Sequence, residues 1–159
     1  MAETNETRRI DAAYRGHGLA SWVLGAVVTV KIAQGLLLLF ANDYVVRTAD
    51  GIPLDAYSPA GAQTVRSVCA LLGLDRLLFG ALAIAVLVRY RGMIPAMFLL
   101  LLLNDVGRLL ILQVFPIIRV GSPLGPTMNL VLLGLIIVGL ALSLSRQGAV
   151  RAESVQRIS

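Results

Sequence analysis

The sequence predicts an all-α integral membrane protein, an antiparallel bundle of four transmembrane helices with both termini on the cytoplasmic side. Three observations predict it. Of the 159 residues, 57% are hydrophobic and only 14% are charged, where a soluble domain carries roughly a quarter charged residues. Apolar stretches at about 19–41, 60–90, 93–115 and 124–145 each reach the roughly 20 residues that cross about 30 Å of hydrocarbon at about 1.5 Å per residue. Basic residues alternate with these stretches. Arg8, Arg9 and Arg15 precede the first, Arg89 and Arg91 join the second to the third, and Arg146, Arg151 and Arg157 follow the fourth, while the opposite loops carry Arg47 and Arg119. The positive-inside rule then places the termini and the middle loop in the cytoplasm, in agreement with the even number of spans.

Each element has its own signal. Residues 1–18 are polar, end in Gly16-His17-Gly18 and read as a cytoplasmic tail with an interfacial helical turn around Tyr14. The bundle proper is expected over 19–146. Its first span opens near Trp22, an aromatic suited to the membrane interface. It reads as a retained helix, because it is longer than a signal's apolar core, contains Lys31 and ends in Phe40-Ala41-Asn42-Asp43 without a small-residue cleavage pattern. The outer loop, 42–59, sets Asp43, Asp50 and Asp55 against Arg47 and is punctuated by Gly51 and Pro53. Loops of that length serve as lids or binding loops, or fold over as connectors. Its aspartates lack the spacing of a calcium loop and read as a solvated acidic surface.

Ser58-Pro59 is a helix start, an N-cap acceptor before a proline at the first helical position. A helix from there to about residue 90 outruns the hydrocarbon and leaves Arg66 near the outer interface. Arg91-Gly92 makes a short turn into the third helix, which tolerates Pro95 in its first turn and ends at Pro116. Ser122-Pro123 or Gly125-Pro126 opens the fourth, and residues 147–159 form a second cytoplasmic tail.

Composition also excludes functions. The net charge of +5 sits on residues that flank apolar spans, without the basic and aromatic interleaving of a nucleic-acid surface. One cysteine, Cys69, permits neither an internal disulfide nor a multi-cysteine metal site. One histidine, His17, precedes the first span, so no transmembrane helix offers histidine to haem or zinc. No P-loop, dinucleotide fingerprint, nucleophile elbow or zinc-protease motif occurs. No cofactor is predicted, which leaves a quinone or a lipid as the classes open.

The informative feature is an interruption. The third span reads LLLLLNDVGRLL over 99–110. Counting depth along each helix at about 1.5 Å per residue, Lys31 and Gln34 on the first helix, Asp75 and Arg76 on the second, and Asn104, Asp105 and Arg108 on the third fall near one level. An ionised side chain facing lipid costs at least ~2.5–3.5 kcal/mol, so these groups are expected to face inward. Asn104, Asp105 and Arg108 share one face at i,i+3 and i,i+4 spacing. Cys69, Gly73, Arg76, Gly80 and Ala83 form a small-residue seam that admits a neighbouring helix closely. Two readings follow. In one, Asp75 and Asp105 neutralise Arg108 and Arg76 across the second and third helices, and the layer only sets helix register. In the other, the surplus positive charge of Lys31, Arg76 and Arg108 accepts a polar or anionic group in a cavity.

Four segments carry a resemblance: GLLLLFA at 35–41, GIPLDAYSPAG at 51–61, VRSVCALLG at 65–73 and LNDVGRLL at 103–110. Together they resemble small bacterial four-helix membrane proteins of unknown function, similar to the DoxX-like proteins, over about 19–142. The resemblance implies a bacterial cytoplasmic (inner) membrane protein, and it places Arg66 and the Gly107-Arg108 pair at positions the family marks. The chain departs from the pattern after the third helix, where Gln113-Val114-Phe115-Pro116 stands in place of an Asp-Gly pair. DoxX-like relatives are variously linked to quinone-coupled sulfur oxidation and to accessory roles.

The function expected is a non-enzymatic one: binding of a polar or anionic small molecule or lipid head group by Lys31, Gln34, Arg66, Asp75, Arg76, Asn104, Asp105 and Arg108, or service as an accessory subunit. The alternatives are a quinone- or lipid-linked enzyme or redox accessory, and a proton or ion channel. The expected partners are the lipid bilayer, a small amphiphilic or anionic ligand, and a second copy or a larger membrane complex.

Overall fold

The computed structural model describes the backbone of residues 3–156 and the side chains of residues 18–144. Tyr14, His17 and the arginines that flank the bundle at Arg8, Arg9, Arg15, Arg146, Arg151 and Arg157 lie outside the described side chains. The described chain is helical apart from short connections, with no strand. Four long helices carry the apolar stretches: α1 (Glu3–Phe40), α2 (Pro59–Arg89), α3 (Ile94–Val114) and α4 (Leu124–Gln156). Segments long and apolar enough to cross a membrane cover Gly18–Phe40, Pro59–Arg89, Arg91–Val114 and Leu124–Leu144. Helical backbone runs on beyond them, back to Glu3 and forward to Gln156, into the segments read from the sequence as tails.

The helix ends follow local chemistry. Ser58 has extended backbone, and its hydroxyl accepts from the Gly61 N–H at 3.2 Å, with Pro59 in the first turn. That satisfies one of the donors a helix start leaves free. Pro95 sits in the first turn of α3, where its missing N–H is harmless. Pro116 follows the end of α3, and α4 opens at Leu124, directly after Pro123, with Pro126 taken into its first turn.

α1 is the organising helix. α2 packs chiefly on α1, α3 on α4, and α1 joins the two pairs through α4. The α1–α2 contact is close because it is built on glycine. A Cβ on Gly35 would lie 2.9 Å from the Gly73 carbonyl oxygen, and a Cβ on Gly73 would lie 2.9 Å from that of Gly35. The seam expected on α2 is the face it buries: Cys69, Gly73, Gly80 and Ala83 are all buried, together with Ala62 and Val86.

The core divides into two apolar clusters. One gathers Leu24, Val27 and Val28 of α1, Ala83 and Val86 of α2, Met97, Phe98 and Leu101 of α3, and Leu132 and Ile136 of α4. The other gathers Leu38 of α1, Ala62 and Cys69 of α2, and Val46, Ile52 and Leu54 of the 41–58 connection. Along every helix the polar positions read from the sequence fall between or beside these clusters. Outward faces are apolar as well: Leu71, Leu78, Leu103, Leu110, Val131 and Ile137 are all exposed. Soluble monomers rarely expose contiguous apolar surface beyond a few hundred Å². Lipid is the solvent such a surface suits.

The 41–58 connection folds back over the bundle. A helical turn at Asn42–Tyr44 runs into a wide turn at Val45–Ala49, and a tight turn follows at Leu54–Ala56. Between them Gly51 takes φ +67, a conformation that favours glycine. The Gly51 carbonyl there accepts from the Val120 N–H at 2.8 Å, tying this connection to the one between α3 and α4.

Candidate functional site

Three helices meet at the polar layer. The Lys31 ammonium donates to both carboxylate oxygens of Asp105, at 2.8 and 3.0 Å, with the two side chains only 9% and 15% exposed. One turn along α1, the Gln34 side-chain oxygen accepts from the Arg76 guanidinium at 2.9 Å. α1 is thus pinned to α3 by an ion pair and to α2 by a charge-assisted hydrogen bond. Lys31 is itself buried, with Leu24, Val27 and Val28 on the same helix beside it.

The pairing differs from the one the sequence suggested. Asp105 meets Lys31 and not an arginine, and among the described residues Asp75 has no side-chain hydrogen bond or ion pair. α3 touches both α1 and α2. On α2 Arg76 is already engaged by Gln34, and the cation that Asp105 meets is Lys31 on α1. Asp75 and Asn104 stay half-buried without a side-chain partner among the described residues.

Arg66 stands apart from the layer. Its guanidinium donates to one Asp43 oxygen at 3.0 and 2.6 Å. Arg47 donates to the other Asp43 oxygen at 3.1 Å and to Asp55 at 2.6 Å. Asn42 adds two bonds, donating to the carbonyls of Leu38 at 2.8 Å and Arg66 at 3.1 Å. This network clamps the connection onto the start of α2. The Arg66 guanidinium holds the Asp43 carboxyl below its ordinary 3.8, and Arg47 does the same for Asp55.

A folded value below the unfolded one means that the clamp is at full strength above about pH 4 and is lost as pH falls further through the folded values. Hydrogen exchange over 43–57 is therefore expected to stay constant from pH 7 down to about pH 4, after correction for intrinsic rates, and to rise below it. Arg47→Gln should raise exchange already at pH 7 and shrink the rise on acidification. Loosening centred near pH 6 would mean that these carboxylates are not what holds the segment.

Beyond Asp105 lies a cavity of about 220 Å³, bounded by α3, α4 and the two connections. Asp105, Arg108, Leu109, Leu112 and Gln113 line it from α3, Pro126, Asn129, Leu130 and Leu133 from α4, and Asp50 and Arg119 from the connections. Of its charged groups only Asp105 is spent, on Lys31. Among the described residues Arg108, Arg119 and Asp50 make no side-chain hydrogen bond or ion pair, and the Arg119 Nε is fully buried without an acceptor. A guanidinium nitrogen shut off from water with no partner is costly, by roughly 1–3 kcal/mol or more for a charged group.

Of the residues singled out from the sequence, Lys31, Gln34, Arg76 and Asp105 come together by direct bonds, and Arg108 joins Asp105 at the cavity wall. Arg66 belongs to the clamp. Sequence reasoning did not count Asp50, Arg119 and Asn129 among the site residues, yet they belong to the polar lining. Asp50 had a signal in the Asp50-Gly51 turn pair. Arg119 was read only as a charge that sets topology. Compared with protein-family models, with curated proteins and with solved structures, the chain matches none.

Proposed function

We propose that this is a multi-pass protein of a bacterial cytoplasmic membrane that binds a small anionic or polar group, free or carried on a lipid, in the cavity between α3 and α4. In this reading the helices alternate in direction, with both termini and the Arg89–Arg91 turn in the cytoplasm. The bond between Gly51 and Val120 supports that arrangement, since it brings the first and third connections to the same end. Trp22 and Tyr90, both exposed, then mark the cytoplasmic interface, with Tyr44 and Tyr57 marking the opposite one.

One observation carries the proposal: two guanidiniums without partners among the described residues, Arg108 and Arg119, line a single cavity beside a layer whose other cations are already engaged. Intramembrane charge such as that of Arg108, when it is not internally neutralised, points to a functional site, and a planar guanidinium suits carboxylate or phosphate. At about 220 Å³ the cavity falls below the roughly 300–1,000 Å³ of sites for drug-sized ligands. It suits a head group and not an entire quinone. The roles differ accordingly. Arg108 and Arg119 engage the anion, Gln113 and Asn129 supply further polar contacts, and the Lys31–Asp105 and Arg76–Gln34 bonds hold the helices that carry the site.

Native mass spectrometry of the protein released from mild detergent is expected to show a bound small molecule or phospholipid. Replacing both guanidiniums (Arg108→Gln with Arg119→Gln) should lower its occupancy about 10- to 100-fold, the worth of a charge-assisted hydrogen bond or two. A wild-type chain that binds no more than this double variant, across added phosphate, carboxylates and phospholipids, would remove the proposal.

A further inference from the structure

The same cavity holds an unpaired charge of the opposite sign. Asp50 is half-buried, lines the cavity beside Arg108 and Arg119, and bonds to neither. The contrast with its neighbours is informative. Asp43 and Asp55, both more exposed, are each taken by an arginine at 2.6 Å, whereas the aspartate with less access to water has no side-chain partner among the described residues.

Asp50 is also held in place. Its N–H donates to the Val45 carbonyl at 2.9 Å, and the next residue, Gly51, is fixed by the Val120 bond. One carboxylate oxygen rests against the first turn of α4, 2.6 Å from where a Cβ on Gly125 would be, with the Ala49 carbonyl 2.9 Å from the same point. Only glycine at 125 allows the connection to seat this deeply. Carboxylate and guanidiniums are therefore carried by separate rigid elements that keep them in one cavity without joining them.

A group that satisfies both signs at once is a zwitterion. Resting on the anion-binding reading above, we infer that the ligand carries a primary ammonium as well as a phosphate. The ammonium donates to Asp50 and the phosphate accepts from Arg108 and Arg119. Leu109 and Leu130 line the cavity and also lie on the exposed apolar faces of α3 and α4, so an ethanolamine phosphate head group can enter from the lipid side with its acyl chains left outside. The chemistry is shared by the head group of phosphatidylethanolamine and by soluble phosphoethanolamine.

The test is a ligand panel on the intact chain in detergent, read by native mass spectrometry. Phosphatidylethanolamine is expected to bind about tenfold better than phosphatidylglycerol, which lacks the ammonium, and than phosphatidylcholine, whose trimethylammonium has no N–H to donate. Asp50→Asn should level that preference while sparing phosphatidylglycerol, and Asp50→Glu should keep it. Soluble phosphoethanolamine that displaces the lipid at equal concentration would support the zwitterion and assign it to the aqueous source, and failure to displace a selectively bound phosphatidylethanolamine assigns it to the membrane. Equal binding of phosphatidylethanolamine and phosphatidylglycerol by the wild type, a comparison that needs no variant, would overturn the inference and leave the anion site standing. Binding of no panel member above the Arg108→Gln, Arg119→Gln background would overturn both.

Discussion

Asp105→Ala is expected to destabilise the bundle by about 3–5 kcal/mol, the cost of leaving one member of a buried ion pair without its partner. The pair it breaks is bidentate at 2.8 and 3.0 Å and joins α1 to α3 with both side chains nearly inaccessible. Two effects add. The buried Lys31 ammonium loses its counter-charge, and α3 loses the side-chain bond that, among the described residues, ties it to α1. Asp105→Asn should cost less, because an amide oxygen still accepts from the ammonium. The informative experiment is the apolar double replacement, Lys31→Met with Asp105→Leu, which removes both charges together. Buried pairs replaced by well-packed apolar residues are often neutral or stabilising, so this variant should recover most of the stability lost in the single one. The measurement is the unfolding midpoint in one detergent, where Asp105→Ala should fall on the order of 10 °C. A midpoint unchanged by Asp105→Ala would mean that the pair contributes nothing. Failure of the double variant to recover would mean that Lys31 or Asp105 is needed for something other than the other.

The second large effect is expected at the α1–α2 crossing. A methyl group at Gly73 would sit 2.9 Å from both the Gly35 carbonyl oxygen and the Leu38 Cβ. Neither obstacle can turn aside, because one is backbone and the other is the root of a side chain. Gly73→Ala is therefore expected to cost about 1–3 kcal/mol through forced separation of the helices, and Gly73→Leu more. The separation would be felt at the polar layer, since Arg76, one turn along α2, reaches Gln34 on α1 through this contact. Gly134 on α4 supplies the control. A Cβ there meets nothing within 4 Å, so Gly134→Ala should be neutral or stabilise by about 0.5–1 kcal/mol, as glycine inside a helix is ordinarily the poorer residue. Thermal midpoints of the two variants test the point side by side. Equal midpoints would show that close approach at Gly73 is not what binds α2 to α1.

Both predictions rest on features that were partly legible in the sequence, and the division is instructive. The seam at Cys69, Gly73, Gly80 and Ala83 could be read because small residues at helical spacing leave few other uses for one face. The gathering of Lys31, Arg76 and Asp105 at one level could be read because rise per residue converts position into depth. The partner of Asp105 could not. Depth and face do not say which side chain across a contact is already engaged: α3 touches both α1 and α2, Arg76 is taken by Gln34, and an acid expected to meet arginine meets lysine. Arg66 illustrates the same gap from the other side. Its place near the end of α2 was readable, but its engagement by Asp43 depends on how the 41–58 connection folds back.

The cavity lay furthest from view. Asp50, Arg119 and Asn129 stand 58, 11 and 21 positions from Arg108, and Asp50 and Arg119 had ordinary local readings as loop acid and topology-setting charge. Asn129 arrives with the packing of α4 on α3, and the seating of one connection on the other, through Gly51 and Val120, brings in Asp50 and Arg119.

By itself, the amino-acid order determined that this protein is helical, that four of its segments suit hydrocarbon, where the inner helix ends are capped, and at which turn of each helix its charges fall, while the outer ends of α1 and α4 run on into segments read as tails. Those properties follow from hydrophobicity, backbone capping and a constant helical rise, all of which act within a single segment. Tertiary structure alone decided which charges neutralise one another and which are left facing a shared cavity. That outcome depends on the rotation and neighbours of each helix and on how two connections meet, and these are settled by contacts between residues far apart in the chain.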